Sequence, residues 1–304
     1  MFSRRRFLGA GAATLGSALL PALPAWPQAG AAQITTSDLG GGLFLFGGAG
    51  CNVLALRGDD GALLIDGGLA ANADALLRAV FAATGTSKVG TLINTHWHPE
   101  AIGANELVGR AGGKIFAHEK TAMYLGHRVS SATFEGRREA LPEAARPTET
   151  ARAESSLSFA GRRVDYGYLP AAHTDGDLFL HFTDLNVMAV GGVLCAEAWP
   201  LLDYRNGAWL GGRVRAVERL ASLVKSDTRV VPADGPLMTG RDVVRQRDIY
   251  DELFVTMVNY MNMGFGAEDV VRENPLKEYE SELGDPSAFL DGAYRSMLIA
   301  YVPD

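Results

Sequence analysis

A short apolar run from Val89 to Ile93 ends in a polar stretch that carries two histidines, His96 and His98. The run has the length and composition of a buried β-strand, so both histidines stand where that strand ends. On an extended backbone, residues two positions apart lie on the same face, and their imidazoles can converge on one cation. The sequence therefore predicts that this strand end supplies two ligands of a metal ion.

A third histidine, His173, has a similar context. It lies in the polar, glycine-containing turn 171–177, directly before another apolar run, 178–182. Three histidine ligands leave one coordination position open, which is the pattern of a catalytic zinc site and not of a closed structural one. A His-x-His pair and one distant histidine are only moderately specific, since an isolated histidine is more often a surface or core residue.

Apolar runs divided by polar turns follow in each half of the chain, and each half also holds helical segments. We expect strands at 42–47, 51–57, 61–66, 89–94, 114–117, 155–159, 162–169, 178–182, 187–194 and 229–231, and helices at 72–83, 104–109 and 213–225. Beyond residue 239 the apolar spacing becomes helical, which predicts a helical extension over 240–304. Residues 127–153 lack periodicity, so we expect a long loop or a substrate lid there.

Several of these landmarks occur in an order that resembles the metallo-β-lactamase superfamily, from about Gly42 to Thr239. Asp66, in a Leu-Leu-Ile-Asp-Gly-Gly segment, is similar to the first motif of that family. Residues 95–101 are similar to its His-x-His-x-Asp-His motif, and His173 to its third-histidine motif. The resemblance implies an α/β fold, a four-layer αβ/βα sandwich, with the ligands on loops at one edge of two packed sheets.

The departures from the family pattern concern the second metal site. A typical member builds that site from an aspartate and a histidine of the second motif, a bridging aspartate and a last histidine. Here the four matching positions hold Glu100, Ala101, Gly192 and Asp234. Because alanine and glycine have no ligand atom in the side chain, the resemblance implies one zinc, held by His96, His98 and His173, and a second site that is crippled or absent.

Two carboxylates are the candidates for catalysis. A zinc ion in a three-histidine site lowers the pKa of its bound water to about 7, so a zinc-bound hydroxide is the expected nucleophile. Glu100 has one methylene more than the family's aspartate and is expected to act as a base or a weak ligand. Asp234 is expected to orient the nucleophile from the opposite side. A carboxylate beside a dication stays ionised and accepts protons more readily than it donates them.

Two further aspartates are expected to support the metal ligands. Asp66 is expected to hydrogen-bond the second nitrogen of a ligand imidazole and so fix its orientation. Asp177 is expected to brace the loop of His173, a role that is more often structural than functional. The aromatic side chains nearby are candidates for a substrate pocket, with core packing as the alternative: Trp97, Trp199, Tyr204 and Trp209.

The N-terminus resembles a twin-arginine (Tat) export signal. Three arginines, Arg4 to Arg6, precede a mildly apolar run that is broken by two prolines and is shorter than the roughly 20 residues of a membrane span. A small-residue stretch at 29–31 is typical of a cleavage site. We therefore expect a signal peptide over 1–32, use of the Tat machinery, a periplasmic or secreted mature domain over 33–304, and no stable membrane span.

Charge restricts the partners. Without residues 1–32 the chain keeps 25 of its 28 basic residues against 35 acidic ones, so its formal net charge changes from −7 to −10. An acidic chain without a basic stripe is a poor match for nucleic acid, and we expect a small-molecule substrate. Two cysteines, Cys51 and Cys195, are either buried free thiols or, after export, a disulfide.

Three functions are compatible with these features. The first is an exported mononuclear zinc hydrolase that acts on an ester, lactone, thioester or amide. The second is a non-catalytic relative that kept a metal or ligand pocket, which the lost ligands favour. The third, an iron-dependent oxygenase on the same scaffold, is disfavoured because the aspartate that such proteins use corresponds to Gly192. Membership of a fold family does not identify the substrate.

Overall fold

Two β-sheets provide the frame in the computed structural model, which describes residues 33–134 and 136–301. The expected signal peptide, 1–32, lies outside the described residues. The first sheet has seven strands in sequence order: β1 (Thr35–Gly40), β2 (Leu43–Gly47), β3 (Val53–Leu56), β4 (Ala62–Ile65), β5 (Val89–Ile93), β6 (Lys114–His118) and β7 (Glu149–Ala151). Strands β1 to β4 form an antiparallel meander, and β4 to β7 are parallel.

The second sheet has six strands and begins with antiparallel neighbours. Its members are β8 (Ser155–Phe159), β9 (Arg162–Leu169), β10 (Asp177–Phe182), β11 (Val187–Gly191), β12 (Arg229–Pro232) and β13 (Met238–Thr239), in the spatial order β13-β12-β11-β10-β9-β8. Only the pair β11 and β12 is parallel, and the helix Leu210–Leu223 is the crossover between these two strands. The helices are α1 (Ala73–Thr84), α2 (Pro99–Ile102), α3 (Asn105–Arg110), α4 (Glu119–Leu125), α5 (Leu210–Leu223), α6 (Gly240–Asn262), α7 (Ala267–Glu273), α8 (Glu280–Leu283) and α9 (Ser287–Tyr301).

Alternation of side chains along the strands explains why helices cover both sheets. In β3, Val53 and Ala55 pack with α1 and α3, while Leu54 and Leu56 face the second sheet. The side chains of β11 alternate in the same way. Val187 faces the first sheet, and the side chains on the opposite face of the strand pack with α5, α6 and α9. Since successive side chains of a strand point to opposite faces, a strand buried on both faces is apolar throughout. The result is the expected four-layer αβ/βα sandwich with a C-terminal helical extension.

The sequence misses the polar edge strands β1 and β7 and the two-residue strand β13. Strand β7 lies inside the expected loop 127–153, and the rest of that segment holds an isolated bridge between Val129 and Arg138 and one helical turn. Within the described residues no helix is both long and apolar enough to cross a membrane.

The loops with the three histidines meet at one edge of the two sheets. His96 and His98 follow β5, and His173 precedes β10. A backbone hydrogen bond from Leu178 N to Thr95 O, 2.7 Å long, joins the two loops across the gap between the sheets. The loop after β12 reaches the same edge, where Ala233 N donates to the carbonyl of the last residue of β11.

A pair of buried asparagines fixes the start of the first histidine loop. The side chains of Asn94 and Asn105 donate to each other at 3.0 and 2.8 Å, and their remaining amide protons reach the carbonyls of Ala101 and Ala145. The pair therefore ties the end of β5 to α2, α3 and the turn at 143–145.

Replacing Asn105 with leucine should lower the free energy of unfolding by about 1–3 kcal/mol, because Asn94 would keep a buried amide without its partner. Urea unfolding followed by circular dichroism measures the change. Asn259→Leu, at an exposed position of α6, is the matched control and should stay within about 0.5 kcal/mol of the parent. Equal stabilities of the two variants would contradict this role for the pair.

Candidate metal centre

Four side chains converge at the edge of the sandwich: His96, His98, Glu100 and His173. Their ligand atoms all lie within 4.8 Å of one another. Nδ1 of His98 is 3.0 Å from Nε2 of His173, and Oε1 of Glu100 is 3.2 Å from Nε2 of His96 and 3.7 Å from Nδ1 of His98. In a tetrahedral zinc site, ligand atoms about 2.0–2.1 Å from the ion stand roughly 3.3 Å apart. The spacing is thus that of four groups around one cation.

The orientation of His96 is fixed through Thr95. The Thr95 hydroxyl donates to Oδ2 of Asp66 at 2.7 Å, and its backbone N–H donates to Oδ1 of the same carboxylate. Because the hydroxyl has one proton, it accepts the 2.9 Å hydrogen bond from Nδ1 of His96, which leaves Nε2 free to face the cluster. Asp66 therefore acts on the imidazole through Thr95, and not by the direct contact that the sequence predicts.

Asp66 itself adopts an uncommon backbone conformation, with φ 64°. Its backbone N–H bonds to Ile93 O at 2.8 Å, and its carboxylate accepts two hydrogen bonds from Thr95, so the surrounding structure holds this left-handed residue in place. Burial raises the pKa of Asp66 to about 6, against the lowering effects of His96 and of the Thr95 donors.

The orientation of His98 depends on Asp203, a residue that the sequence reading does not select. Oδ2 of this fully buried aspartate is 3.0 Å from Nε2 of His98. Asp203 also accepts hydrogen bonds from Ala132 N and from the side chain of Asn206. Burial opposes its ionisation, but the hydrogen bond and charge of His98, together with the hydrogen bonds from Ala132 N and Asn206, lower the pKa of Asp203. In the sequence, Asp203 is marked only by its place after β11, between the aromatic residues Trp199 and Tyr204.

A backbone carbonyl orients His173. Its Nδ1 donates to Leu201 O at 2.8 Å, which directs Nε2 toward His98. Asp177 accepts hydrogen bonds from the backbone N–H groups of His173 and Thr174 and from the Thr174 hydroxyl, at 2.6–2.8 Å. Asp177 thus holds the backbone of the loop, while Leu201 holds the ring.

The contacts within the cluster shift the pKa values of its members. Burial alone would lower the pKa of His98, but hydrogen bonds to Asp203 and Glu100 raise it to about 9. The pKa of Glu100 is held well below its usual range, since its hydrogen bonds to His96 and His98 outweigh burial. Burial and the neighbouring His98 keep the pKa of His173 well below 6.5. Without a metal, a proton of His98 therefore lies between two imidazole nitrogens, and a cation would take its place. The donor set fits a metal ion.

The positions of the family's second metal site do not form a site here. The side chain of Ala101 is fully buried in a cluster with Trp97, and Asp234 is exposed on the loop after β12, outside the group of four converging residues. Gly192 lies against the imidazole of His173, so that a Cβ atom at this position would overlap Cδ2 and Nε2 of the ring. The ring itself fills the space where the bridging side chain would start.

The aromatic side chains proposed for a substrate pocket are buried or half-buried. Trp97 is fully buried, stacks on Tyr124 at 4.8 Å and packs edge-on against the ring of His98, with the centroids 4.6 Å apart. Trp199 is also buried and stacks on Phe289 of α9. Tyr204 and Trp209 are half-buried and contact α9 and α6. Their role in a substrate pocket stays a prediction.

The loop at 130–134 also reaches the centre. Thr133 Oγ1 is 3.3 Å from Nε2 of His98, and the Phe134 ring centroid is 6.1 Å from that of His98. Ser130 O accepts a hydrogen bond from Asn206, three residues after Asp203. This part of the expected lid segment therefore covers the pair of His98 and Asp203. Both cysteines, Cys51 and Cys195, are free thiols in the structure.

Comparisons with known proteins agree with this architecture. The metallo-beta-lactamase from Pontibacter korlensis is 19% identical, with a TM-score of 0.57 over 72% of this chain and 99% of its own. The DIM-1 metallo-beta-lactamase is 14% identical, with a TM-score of 0.58 over 73% of this chain and 98% of its own. The inverting sec-alkylsulfatase Pisa1 from Pseudomonas sp. is 16% identical, with a TM-score of 0.62 over 86% of this chain but 50% of its own.

At these identities the three structures show a shared fold and nothing finer. No curated protein sequence matches the chain significantly. The sequence profile of the metallo-beta-lactamase superfamily, by contrast, matches residues 46–237, which is more than half of the chain and includes all four residues of the cluster. With the four-layer sandwich and the histidine loops at its edge, this match places the chain in the metallo-beta-lactamase superfamily.

Proposed function

We propose that this chain is a hydrolase that depends on one zinc ion, bound by His96, His98 and His173, and that it cleaves an ester, lactone, thioester or amide of a small molecule. One observation carries the proposal: three buried imidazoles each direct one ring nitrogen at a common point, and each ring is oriented by a separate hydrogen bond from its other nitrogen. Zinc prefers such nitrogen ligands, and bound there it would supply Lewis acidity and lower the pKa of a bound water.

Glu100 is the proposed proton acceptor. Its carboxylate lies beside the nitrogens of His96 and His98, and its low pKa keeps it ionised. The side chain is 32% exposed, whereas the three histidines are buried, so water reaches the site on its side. Asp234 lies outside the cluster, and we assign it a secondary role in orienting substrate or water from the loop after β12.

The site and the fold suggest which substrate classes to test first. A single zinc with one neighbouring carboxylate is suited to reactive acyl groups, and the weakest expectation is for unactivated amides, which profit most from a second metal. The structural similarity to a sec-alkylsulfatase covers more of this chain than that to the lactamases, so alkyl sulfates belong in the substrate panel.

His98→Ala should abolish zinc content and hydrolysis together, because it removes one ligand and leaves Asp203 buried without its partner. Elemental mass spectrometry of the purified chain should give about one zinc in the parent and none in the variant. His127→Ala, at an exposed histidine, is the control and should keep both zinc and turnover. Full activity in His98→Ala would end the proposal, and two metals per chain would show that Glu100 and Asp234 rebuild a second site.

Glu100→Gln should retain zinc but reduce kcat by about 10²–10⁴-fold, since a carboxamide of the same size cannot accept a proton. Turnover of activated esters, lactones, thioesters, a chromogenic β-lactam and alkyl sulfates provides the assay. A variant with zinc bound and an unchanged kcat would exclude Glu100 as the base.

The second candidate function is a metal-binding protein without catalysis. It is favoured by the fit of Glu100 into the fourth position around the histidines, which would close the site, and by the absence of ligand atoms at Ala101 and Gly192. In that case zinc should raise the melting temperature of the parent, no member of the substrate panel should turn over, and Glu100→Gln should change only the affinity for zinc.

We also propose export through the Tat machinery, on the strength of Arg4, Arg5 and the apolar run that follows them. Replacing both arginines with lysine in the full chain should retain the precursor in the cytoplasm, while Arg57→Lys should leave export unchanged. Cell fractionation with immunoblotting measures the distribution. Recovery of the parent protein only from the cytoplasm would contradict this proposal without affecting the metal site.

A further inference from the structure

One charged side chain near the metal centre has no charged partner. Arg213, in the first turn of α5, is fully buried. Its guanidinium donates to Val193 O at 2.5 Å and to Leu201 O at 2.9 Å, and its Nε has no hydrogen-bond partner among the described residues. Nor does any carboxylate of residues 33–134 and 136–301 form an ion pair with it.

Such an arrangement is unfavourable on its own. A guanidinium removed from water needs a compensating charge or a full set of hydrogen bonds, and here it has two carbonyls, the side chain of Tyr250 and one unsatisfied N–H. A leucine or methionine at this position of a core helix would avoid the desolvation. The role of Arg213 therefore depends on its two carbonyl acceptors.

Both carbonyls belong to the segments that enclose His173. Leu201 O is also the acceptor for Nδ1 of His173, at 2.8 Å. Val193 directly follows Gly192, the residue against which the ring of His173 packs. The planar fork of Arg213 thus joins one segment beside the ring to another at its Nδ1 edge.

The same loop also carries the support of His98. Asp203 stands two residues after Leu201, its backbone N–H donates to His173 O at 3.0 Å, and its carboxylate accepts the proton of His98. A shift of this loop would therefore misplace the acceptors of two of the three imidazoles.

We propose that Arg213 is a positioning residue of the metal centre: it holds Leu201 and Val193 so that His173 presents Nε2 to the metal and Asp203 meets His98. This inference rests on the proposed zinc site. It adds a role that lies on α5, outside the motifs by which the family resemblance was made.

The direction in which the zinc affinity changes distinguishes a positioning role of Arg213 from an effect of its charge. A buried cation repels a dication, so the loss of the charge alone would strengthen zinc binding. Loss of the two hydrogen bonds instead loosens the loop, and groups that orient metal ligands typically contribute about 10–100-fold to metal affinity. Weaker binding after removal of a positive charge is thus the signature of positioning.

The experiment compares Arg213→Met, Arg213→Lys and the control Arg219→Met, which removes an exposed charge from the same helix. Zinc affinity is measured on the full chain by competition with a chelator. The Nδ1 proton of His173 is observed by NMR of protein labelled with ¹⁵N-histidine, assigned with His173→Gln. Circular dichroism and the melting temperature establish that each variant is folded.

In Arg213→Met the zinc Kd should rise about 10–100-fold, and the protected Nδ1 proton signal should be lost. Arg213→Lys should also bind more weakly, because one ammonium cannot hold two carbonyls in the plane of a guanidinium, and it decides the matter if the methionine variant does not fold. Arg219→Met should match the parent.

Unchanged or tighter zinc binding in a folded variant at position 213, with the Nδ1 proton retained, would overturn the role of Arg213. If the parent itself binds no zinc, the proposed function fails, while the Nδ1 proton still reports on Arg213 in the metal-free protein. Loss of that proton signal in the variant would then support the positioning role, and its persistence would refute it.

Discussion

The hydrogen bond between Leu178 N and Thr95 O connects two sheets at the point where the chemistry is concentrated. The first sheet carries His96, His98 and Glu100 and the second carries His173, so the complete cluster needs both sheets. The bond sets the distance between the loops, while the interior of the sandwich, where Leu54 and Val187 belong to one cluster, sets the separation of the sheets. Packing energy therefore determines the position of the imidazoles before any metal binds, which is how a rigid scaffold supports a site on loops.

The three imidazoles are not equivalent, because each has a different acceptor. His98 faces a carboxylate, His96 a hydroxyl that is itself bound to Asp66, and His173 a carbonyl shared with Arg213. A carboxylate increases the electron donation of a ligand imidazole, whereas a carbonyl that already accepts from a guanidinium adds less. A metal bound here would therefore meet a more strongly donating imidazole, His98, and a more weakly donating one, His173. The balance between the two would set the acidity of the metal.

Much of the fold and part of the site could be predicted from the sequence. The buried strands are largely apolar and end in turn residues, so β3 to β6 and β10 to β12 are visible in the sequence. In contrast, β1 and β7 are polar edge strands with no periodic signal, and β13 has only two residues. His96, His98 and His173 were found because the strand ends made their spacing meaningful. Asp203 and Arg213 could not be found from the sequence. Their hydrogen-bond partners lie 105 and 12–20 residues away along the chain, and only tertiary packing brings them together. The environment of the large aromatic side chains could not be read from the sequence either, because an aromatic ring fits an apolar cluster and the edge of a site equally well: Trp97 is fully buried, yet its ring centroid is 4.6 Å from that of His98.

The contact between Gly192 and His173 limits which residues position 192 can hold. A Cβ atom at position 192 would lie 2.3–2.8 Å from three atoms of the His173 imidazole. Any single substitution at 192 would therefore displace one of the three imidazoles of the proposed metal centre. An additional ligand side chain could enter at this position only together with a compensating change at position 173.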